Sequence, residues 1–327
     1  MNPSDNPNVL VSVVIPVKNG ASTIGQCLEA LYAQTLARQM EVILIDSGST
    51  DDTAAIAARF PVRVITIPAE TFNHGLTRNL GTENTKGGLV YFTVQDARLS
   101  AVDALERMAT HFRDAAVMGV CGRQAIPWEK DKNPVQWYRP VSQPEITRYQ
   151  FTESNGFIAL PPSRQAQLSA WDNVNAMYRR SALEQLPFIR TDFAEDMYWA
   201  KSALEKGWAI IHDPAAFTWH YHHRNFSYSF RSTFILYYSV YRYFKILPGY
   251  PPLFTSLKDM LLILWREHRV GFGEKFYWFR HSVADFWGKT YATLIFRRIA
   301  RSGDDNRIRS AYENYCGQVP LGRLKGQ

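Results

Sequence analysis

Four short apolar runs rich in β-branched residues recur through the first hundred positions, each closed by a polar turn and separated by helical patterns. The first, Val11-Ser12-Val13-Val14-Ile15-Pro16, ends in proline ahead of the turn at Asn19-Gly20. A run of this length and composition reads as a buried strand. Ser22 is placed to cap a helix whose apolar positions Ile24, Leu28, Leu31 and Tyr32 fall on one face. The second strand, Glu41–Ile45, runs into Asp46-Ser47-Gly48-Ser49-Thr50-Asp51-Asp52, where Ser49 can cap the next helix with Asp52 as a capping-box partner. Arg63–Ile67 and Leu89–Val94 follow at similar spacing. The alternation predicts an α/β fold: a mainly parallel sheet with right-handed crossovers and helices on both faces.

In such a sheet ligands bind outside the carboxyl ends of the strands. Asp46 ends the second strand and Asp96 lies just past the fourth, so both are expected at one crevice. Val17-Lys18-Asn19-Gly20-Ala21 has no glycine fingerprint after the first strand, and no P-loop follows. A nicotinamide or flavin enzyme is thereby disfavoured.

Phe193-Ala194-Glu195-Asp196-Met197-Tyr198-Trp199-Ala200 opens a helical pattern that runs to Gly207. Two adjacent carboxylates sit there among apolar and aromatic residues. A carboxylate in a partly dry pocket is a stronger base than one in bulk water. The competing reading is that Glu195 and Asp196 simply meet the positive end of a helix dipole.

The chain of 327 residues allows one large domain or two smaller ones. Cys27, Cys121 and Cys316 are far apart and fit neither a metal spacing nor a disulfide framework, so a reducing compartment is expected. Met1–Asn8 is polar and lacks the pattern of a secretory leader. No apolar run approaches the roughly 18 residues needed to span a bilayer. Charge is unevenly placed: Arg224–Gln327 holds 17 Lys+Arg and 7 Asp+Glu within an overall net charge of +7, leaving −3 on the first 223 residues.

Several pieces together resemble family 2 inverting glycosyltransferases, which have the GT-A fold, a Rossmann-like sheet. Val13-Val14-Ile15-Pro16-Val17-Lys18-Asn19 and Ile45-Asp46-Ser47-Gly48-Ser49-Thr50-Asp51 look like that family's opening. Phe72-Asn73-His74-Gly75-Leu76-Thr77-Arg78-Asn79 and Val94-Gln95-Asp96-Ala97 resemble its rhamnosyltransferase branch, where a Thr-Gln-Asp-Ala run often replaces Asp-x-Asp. Tyr178-Arg179-Arg180-Ser181-Ala182-Leu183, Ala194-Glu195-Asp196 and His220 continue the match in order, over roughly residues 10 to 225.

The resemblance implies transfer of a sugar from a nucleotide diphosphate to a hydroxyl with inversion. It assigns Asp196 as general base. Pro16, Val17, Asn19, Asp46 and Ser47 become walls of the nucleotide pocket, with Gln95 beside it, and Arg78 and Asn79 face the diphosphate or Asp96. Asp96 and His220 become ligands of Mg²⁺ or Mn²⁺, a hard cation needing few protein oxygens because phosphates complete its shell. His220 and His222 would share a face on a strand. Trp171, Asp172 and Glu195 are placed toward the acceptor, as is the Pro- and aromatic-rich stretch Gln124–Arg164. Val94 stands where the family's first Asp of Asp-x-Asp would be. That departure leaves open a catalytically silent scaffold.

The expected donor is dTDP-L-rhamnose, with a UDP-sugar as alternative, and the acceptor a growing, lipid-linked bacterial surface glycan such as O-antigen. Residues 1–224 then form the transferase domain, its nucleotide-sugar half about 10–100 and its acceptor half about 101–224. Residues 225–327 form a basic, aromatic-rich helical region. Arg, Lys, Trp and Tyr at the boundary of amphipathic helices suit a bilayer interface. Packing on the sheet or in a dimer is the competing reading. The expected location is the cytoplasmic face of the inner membrane, held peripherally. No nucleic-acid-binding motif accompanies the basic tail.

Overall fold

A computed structural model describes residues 10–138, 144–153 and 156–317. The Met1–Asn8 stretch lies outside them, as do parts of Gln124–Arg164. The elements in chain order begin β1 (Val11–Val17), α1 (Ile24–Tyr32), β2 (Met40–Asp46), α2 (Thr53–Ala57), β3 (Val62–Thr66), α3 (His74–Glu83) and β4 (Leu89–Phe92). They continue β5 (Arg98–Leu99), α4 (Ala104–Thr110), β6 (Val117–Ala125), α5 (Pro134–Trp137), β7 (Thr147–Tyr149), α6 (Pro162–Leu168) and β8 (Ala176–Arg179). Last come α7 (Arg180–Gln185), α8 (Glu195–Glu205), β9 (Ala209–Trp219), α9 (Phe226–Phe244), α10 (Leu253–Arg266), α11 (Phe272–Ala300) and α12 (Asp305–Cys316).

Two compact units divide the chain. The first comprises residues up to Ala125, Val141–Thr191 and Glu195–His220; the second comprises Ile126–Pro140, Asp192–Ala194 and Tyr221 onward. The sheet belongs to the first, in the order β3-β2-β1-β4-β8-β6-β9-β5, with β7 beside β9. β1, β2, β3 and β4 are parallel as the sequence predicts. β8 then enters antiparallel between β4 and β6, and β5 and β7 run antiparallel to β9. The sheet is therefore mixed. Val, Ile and Leu of β1 and β2 are buried on both faces, against α1 and the β6/β9 side chains on one and α6–α8 on the other.

This topology delivers the site. β6 and β9 are parallel to each other, and both run with β4 because each flanks β8 or its partner. The carboxyl ends of β1, β2, β4, β6 and β9 thus meet the amino ends of β5 and β8 at a single edge. Asp46, Asp96, Gln124, Asp172 and His220 all lie there. β6 and β9 shift register beside Gly122, where the strands come too close for a side chain. A Cβ on Gly122 would sit 2.0 Å from the Ala216 carbonyl and 2.3 Å from Asn175 Nδ2. Gly122→Ala is expected to lower stability by about 2–3 kcal/mol, read as a fall in melting temperature. An unchanged melting curve would show that the strands part without cost.

Local capping differs from expectation. α1 starts without a side-chain cap from Ser22. α2 begins after Asp52 with no side-chain cap. Ser49 is drawn away from the cap position because its N–H and Oγ both bond Asp46 Oδ1, at 2.9 and 2.7 Å.

The second unit is helical. α9, α11 and α12 share a core of Phe230, Phe234, Ile235, Ala292, Phe296, Ile308 and Tyr312. A smaller cluster joins Trp137 of α5 to Leu264, Val270 and Trp278. Ile126–Tyr138, expected with the acceptor half, packs in this unit.

Candidate active site

At the sheet edge a run of hydrogen bonds joins the two ends of the site. His220, just beyond β9 and buried, places Nε2 3.4 Å from Asp96 Oδ1. Its Nδ1 lies 2.7 Å from Gln124 Oε1. The other face of the Gln124 amide donates from Nε2 to Asp172 Oδ2. A carboxylate can only accept, so the amide orientation is fixed: Oε1 faces the ring, and Nδ1 is the nitrogen that donates. In the neutral ring Nε2 then turns its lone pair toward the Asp96 carboxylate. An imidazole nitrogen and a carboxylate oxygen then face the same point, a donor pair that suits a divalent cation; a protonated ring would instead pair with Asp96 directly.

Asp172 Oδ1 accepts from Val174 N–H at 2.9 Å, closing an Asx turn. The next residue, Asn173, is the hub. Its backbone N–H donates to Asp196 Oδ2 at 3.0 Å, its Nδ2 donates to Glu195 Oε1 at 3.1 Å, and its Oδ1 accepts from Tyr178 at 2.6 Å. Asp196 Oδ1 accepts from Met197 N–H at 2.7 Å. Half-buried Asp196 and Asp172 thus meet at one turn, tied to the Asp96–His220 pair through Gln124.

Burial pushes the Asp196 carboxyl well above the usual carboxylate range, and the charges of Glu195 and Asp172 add to it. The Asp172 carboxyl is also raised by burial, against the pull of Val174 N–H, His220 and Gln124. Glu195 moves the other way. Burial alone would raise it, but Arg78, His74 and the Asn173 amide hold it below its ordinary value. Neighbouring carboxyls with pKa values pushed apart are a signature of divided acid–base roles.

Several expected residues do other work. Arg78 is expected at the diphosphate, but its buried Nη1 pairs with Glu195 Oε1 at 2.7 Å and donates to the His74 carbonyl at 3.1 Å. Glu195, expected toward the acceptor, is the buried half of that ion pair. Asn79 binds the backbone of Phe188 through both amide atoms, at 2.8 and 3.0 Å, tying α3 to the chain after α7. Trp171 is expected toward the acceptor, where an indole face suits carbohydrate. Instead it is buried among Tyr178, Trp199 and His212 and donates to Tyr178 Oη at 2.7 Å. An indole with a buried partner for its N–H is core.

On the nucleotide side, Pro16 pairs in register with Ile45 and Val17 with Asp46. Ser47 N–H and Oγ bond the Val17 carbonyl at 3.0 and 3.2 Å. Gln95 brackets the backbone of Lys18, accepting from its N–H at 2.8 Å and donating to its carbonyl at 3.1 Å. It is a strut for the loop, not a free ligand. Asn19, at a φ of 49°, accepts from Thr50 N–H at 2.8 Å and so ties the two loops together.

The family model "Glycosyl transferase family 2" matches residues 12–186, more than half of the chain. The chain belongs to glycosyl transferase family 2. This family 2 chain is 31% identical over 220 residues to the O-antigen chain rhamnosyltransferase RfbN of Salmonella typhimurium, covering 65% of this chain and 66% of that one. It is 32% identical over 216 residues to the O-antigen chain rhamnosyltransferase WbaN of Salmonella anatum, covering 64% and 66%. The matched region is thus just under two thirds of each relative's length. Among solved structures, the fold is similar to the mannosyltransferase PcManGT from Pyrobaculum calidifontis, solved with GDP-Man and Mn²⁺ (TM-score 0.54, 18% identity, 98% of this chain and 87% of that one). It is also similar to S. aureus TarS 1-349 (TM-score 0.52, 18% identity, 94% and 91%). The sheet with its flanking helices is of the GT-A kind.

Gln124 and Asn173 are functional candidates that the sequence does not single out. Gln124 lies in an irregular strand, and nothing marks it locally. Asn173 does carry a signal: Asp172-Asn173-Val174-Asn175 sets short polar side chains directly before a buried strand, which requires partners for them.

Proposed function

We propose that this chain is an inverting glycosyltransferase that moves a sugar, L-rhamnose from dTDP-L-rhamnose in the first instance, to a hydroxyl of a bacterial surface glycan. The observation that carries the reading is the chain of contacts that runs from the Asp96–His220 pair through hydrogen bonds to Gln124 and Asp172, and through the Asn173 backbone N–H to Asp196. It sets a cation-favouring pair at one end and a carboxyl of raised proton affinity at the other.

Asp96 and His220 suit Mn²⁺ or Mg²⁺ as a carboxylate oxygen beside an imidazole nitrogen, and would hold it. A bound divalent ion supplies charge neutralisation to the departing diphosphate. Val17 and Asp46, side by side at the ends of β1 and β2, form the wall for the base, with Asp46 oriented by Ser49. Asp196 takes the proton from the acceptor hydroxyl, its carboxylate aimed by the N–H groups of Asn173 and Met197. Arg78 anchors Glu195 and with it the first turn of α8, so it serves Asp196 by position. Asp172 keeps Gln124, and through it the His220 ring, in orientation.

A scan of dTDP- and UDP-sugars with Mn²⁺ and with Mg²⁺ tests the proposal. Metal-dependent protection against thermal unfolding by dTDP over UDP is expected, together with turnover of dTDP-L-rhamnose. Protection by neither nucleotide would end the reading. Gln124→Leu is expected to weaken Mn²⁺-dependent nucleotide protection by about 10-fold or more, the usual effect of removing a partner that orients a metal-binding histidine. An unchanged metal titration would leave Gln124 with a structural role only.

The acceptor in this proposal is lipid-linked, and the protein works at the cytoplasmic face of the inner membrane. The basic second unit supports that placement.

A further inference from the structure

α10 carries two apolar faces. Met260 and Leu264 are buried, Leu264 in the cluster with Trp137, Val270 and Trp278. On a second face, Phe254, Lys258, Leu261 and Trp265 follow one another at helical spacing and face solvent. Phe254 is 86% exposed and Trp265 79%; Phe272 and Phe276, one turn apart at the start of α11, are 88% and 63% exposed. Isolated exposed apolar residues are ordinary, but such a group of nearly bare aromatics on one helical hairpin marks an interaction surface.

The accompanying charge identifies the partner. Lys258, Arg266 and Arg280 are exposed on this hairpin, and Lys275 Nζ donates to the Trp265 carbonyl at 3.3 Å, placing a cation beside the aromatics. Two of the acidic groups are committed locally. Glu267 is buried and accepts from Tyr138 Oη at 2.7 Å, and Glu274 accepts from Gly271 N–H at 2.7 Å. The surface therefore offers aromatics interleaved with cations on a pair of helices, with Asp259 as an exposed acidic residue of α10, within a region of net charge +10. Protein interfaces deplete Lys at their centres, whereas aromatic rings with flanking Lys and Arg are the composition of the bilayer interface.

We propose that the outward face of α10 and the first turns of α11 dock on an anionic phospholipid bilayer, with Phe254, Trp265 and Phe272 entering the headgroup region. The proposal deepens the membrane-side placement of the acceptor given above. Lys258, Arg266 and Lys275 supply the attraction to anionic headgroups, which salt screens.

The test is flotation of the full chain with vesicles of phosphatidylcholine alone or mixed with phosphatidylglycerol. The chain should float with the anionic vesicles, not with the neutral ones, and added salt should release it. The triple variant Phe254→Ser, Trp265→Ser, Phe272→Ser should float roughly tenfold less or worse with an unchanged melting temperature. Lys258→Glu with Lys275→Glu, which removes no core contact, should show the same loss. A chain that stays in solution with anionic vesicles overturns the proposal, as do variants that float like the parent. A dimer in sedimentation velocity that the triple variant abolishes would assign the face to a second copy and also overturn it. Nucleotide-sugar hydrolysis without vesicles separates the two readings. Flotation without hydrolysis leaves the surface standing and the transferase reading failed, and hydrolysis without flotation does the reverse.

Discussion

Asp196→Asn is expected to cut sugar transfer by about 10²- to 10⁴-fold while nucleotide protection against unfolding persists. The amide keeps the oxygen that accepts from Asn173 N–H or Met197 N–H but cannot take a proton. Asp172 is the nearest rival base, and its Oδ1 and Oδ2 are engaged by Val174 and Gln124. The pH behaviour provides a second reading of the same variant. Because the Asp196 carboxyl is raised, transfer should climb with pH beyond the range in which an ordinary carboxylate is already ionised. Stability should run the opposite way. A raised carboxyl contributes stability that is complete below the unfolded value and is lost as pH rises through the folded one. Asp196→Asn should therefore melt above the parent at pH 8, and the two should converge toward about pH 4. Transfer that survives the substitution would remove Asp196 from the chemistry. Lost nucleotide protection would make its role structural.

Arg78→Met is expected to produce the largest stability loss, about 3–5 kcal/mol. The pair it breaks is nearly sealed, with side chains 5% and 6% exposed. Removing the guanidinium leaves the Glu195 carboxylate buried without its cation, supported by the Asn173 amide, its own backbone N–H and the more distant charge of His74. Glu195→Gln added to Arg78→Met should recover roughly half of the loss, since it removes the stranded charge and keeps an acceptor for Asn173. Melting curves of the parent, both single variants and the double variant measure this directly. In the parent, the lowered Glu195 carboxyl contributes stability that is present above the ordinary carboxylate range and is lost as pH falls through its folded value. Equal melting temperatures for Arg78→Met and the parent would mean that the pair contributes nothing.

Strands β1, β2 and β4 were legible in the sequence because a parallel strand buried on both faces is written as a near-continuous apolar run; β3, at the sheet edge and partly exposed, was legible from its β-branched residues alone. Asp46 and Asp96 were legible with them, since a residue at the end of such a strand has its edge assigned by topology. β8 was not. Ala176-Met177-Tyr178-Arg179 is too short for a period to emerge, and its direction depends on pairing with segments some ninety and sixty positions upstream. The Arg78–Glu195 pair spans 117 positions, and neither residue carries a mark of its partner. The burial of Trp171 was not legible for a simpler reason. An indole beside short polar residues fits a carbohydrate platform and a packed core equally well, and only the hydroxyl of Tyr178 decides between them.

The antiparallel entry of β8 also bears on how the chain can be made. β4 has β1 on one side, but its other edge is covered only when residues 176–179 arrive. Until then a nascent or truncated chain presents a row of unpaired amides flanked by Val90 and Phe92. A fragment ending after α4 would look complete in its helix–strand alternation and yet expose an adhesive border. Expression trials should accordingly place any cut beyond β9, which in turn covers the other edge of β6. Shorter pieces should be recovered from aggregates.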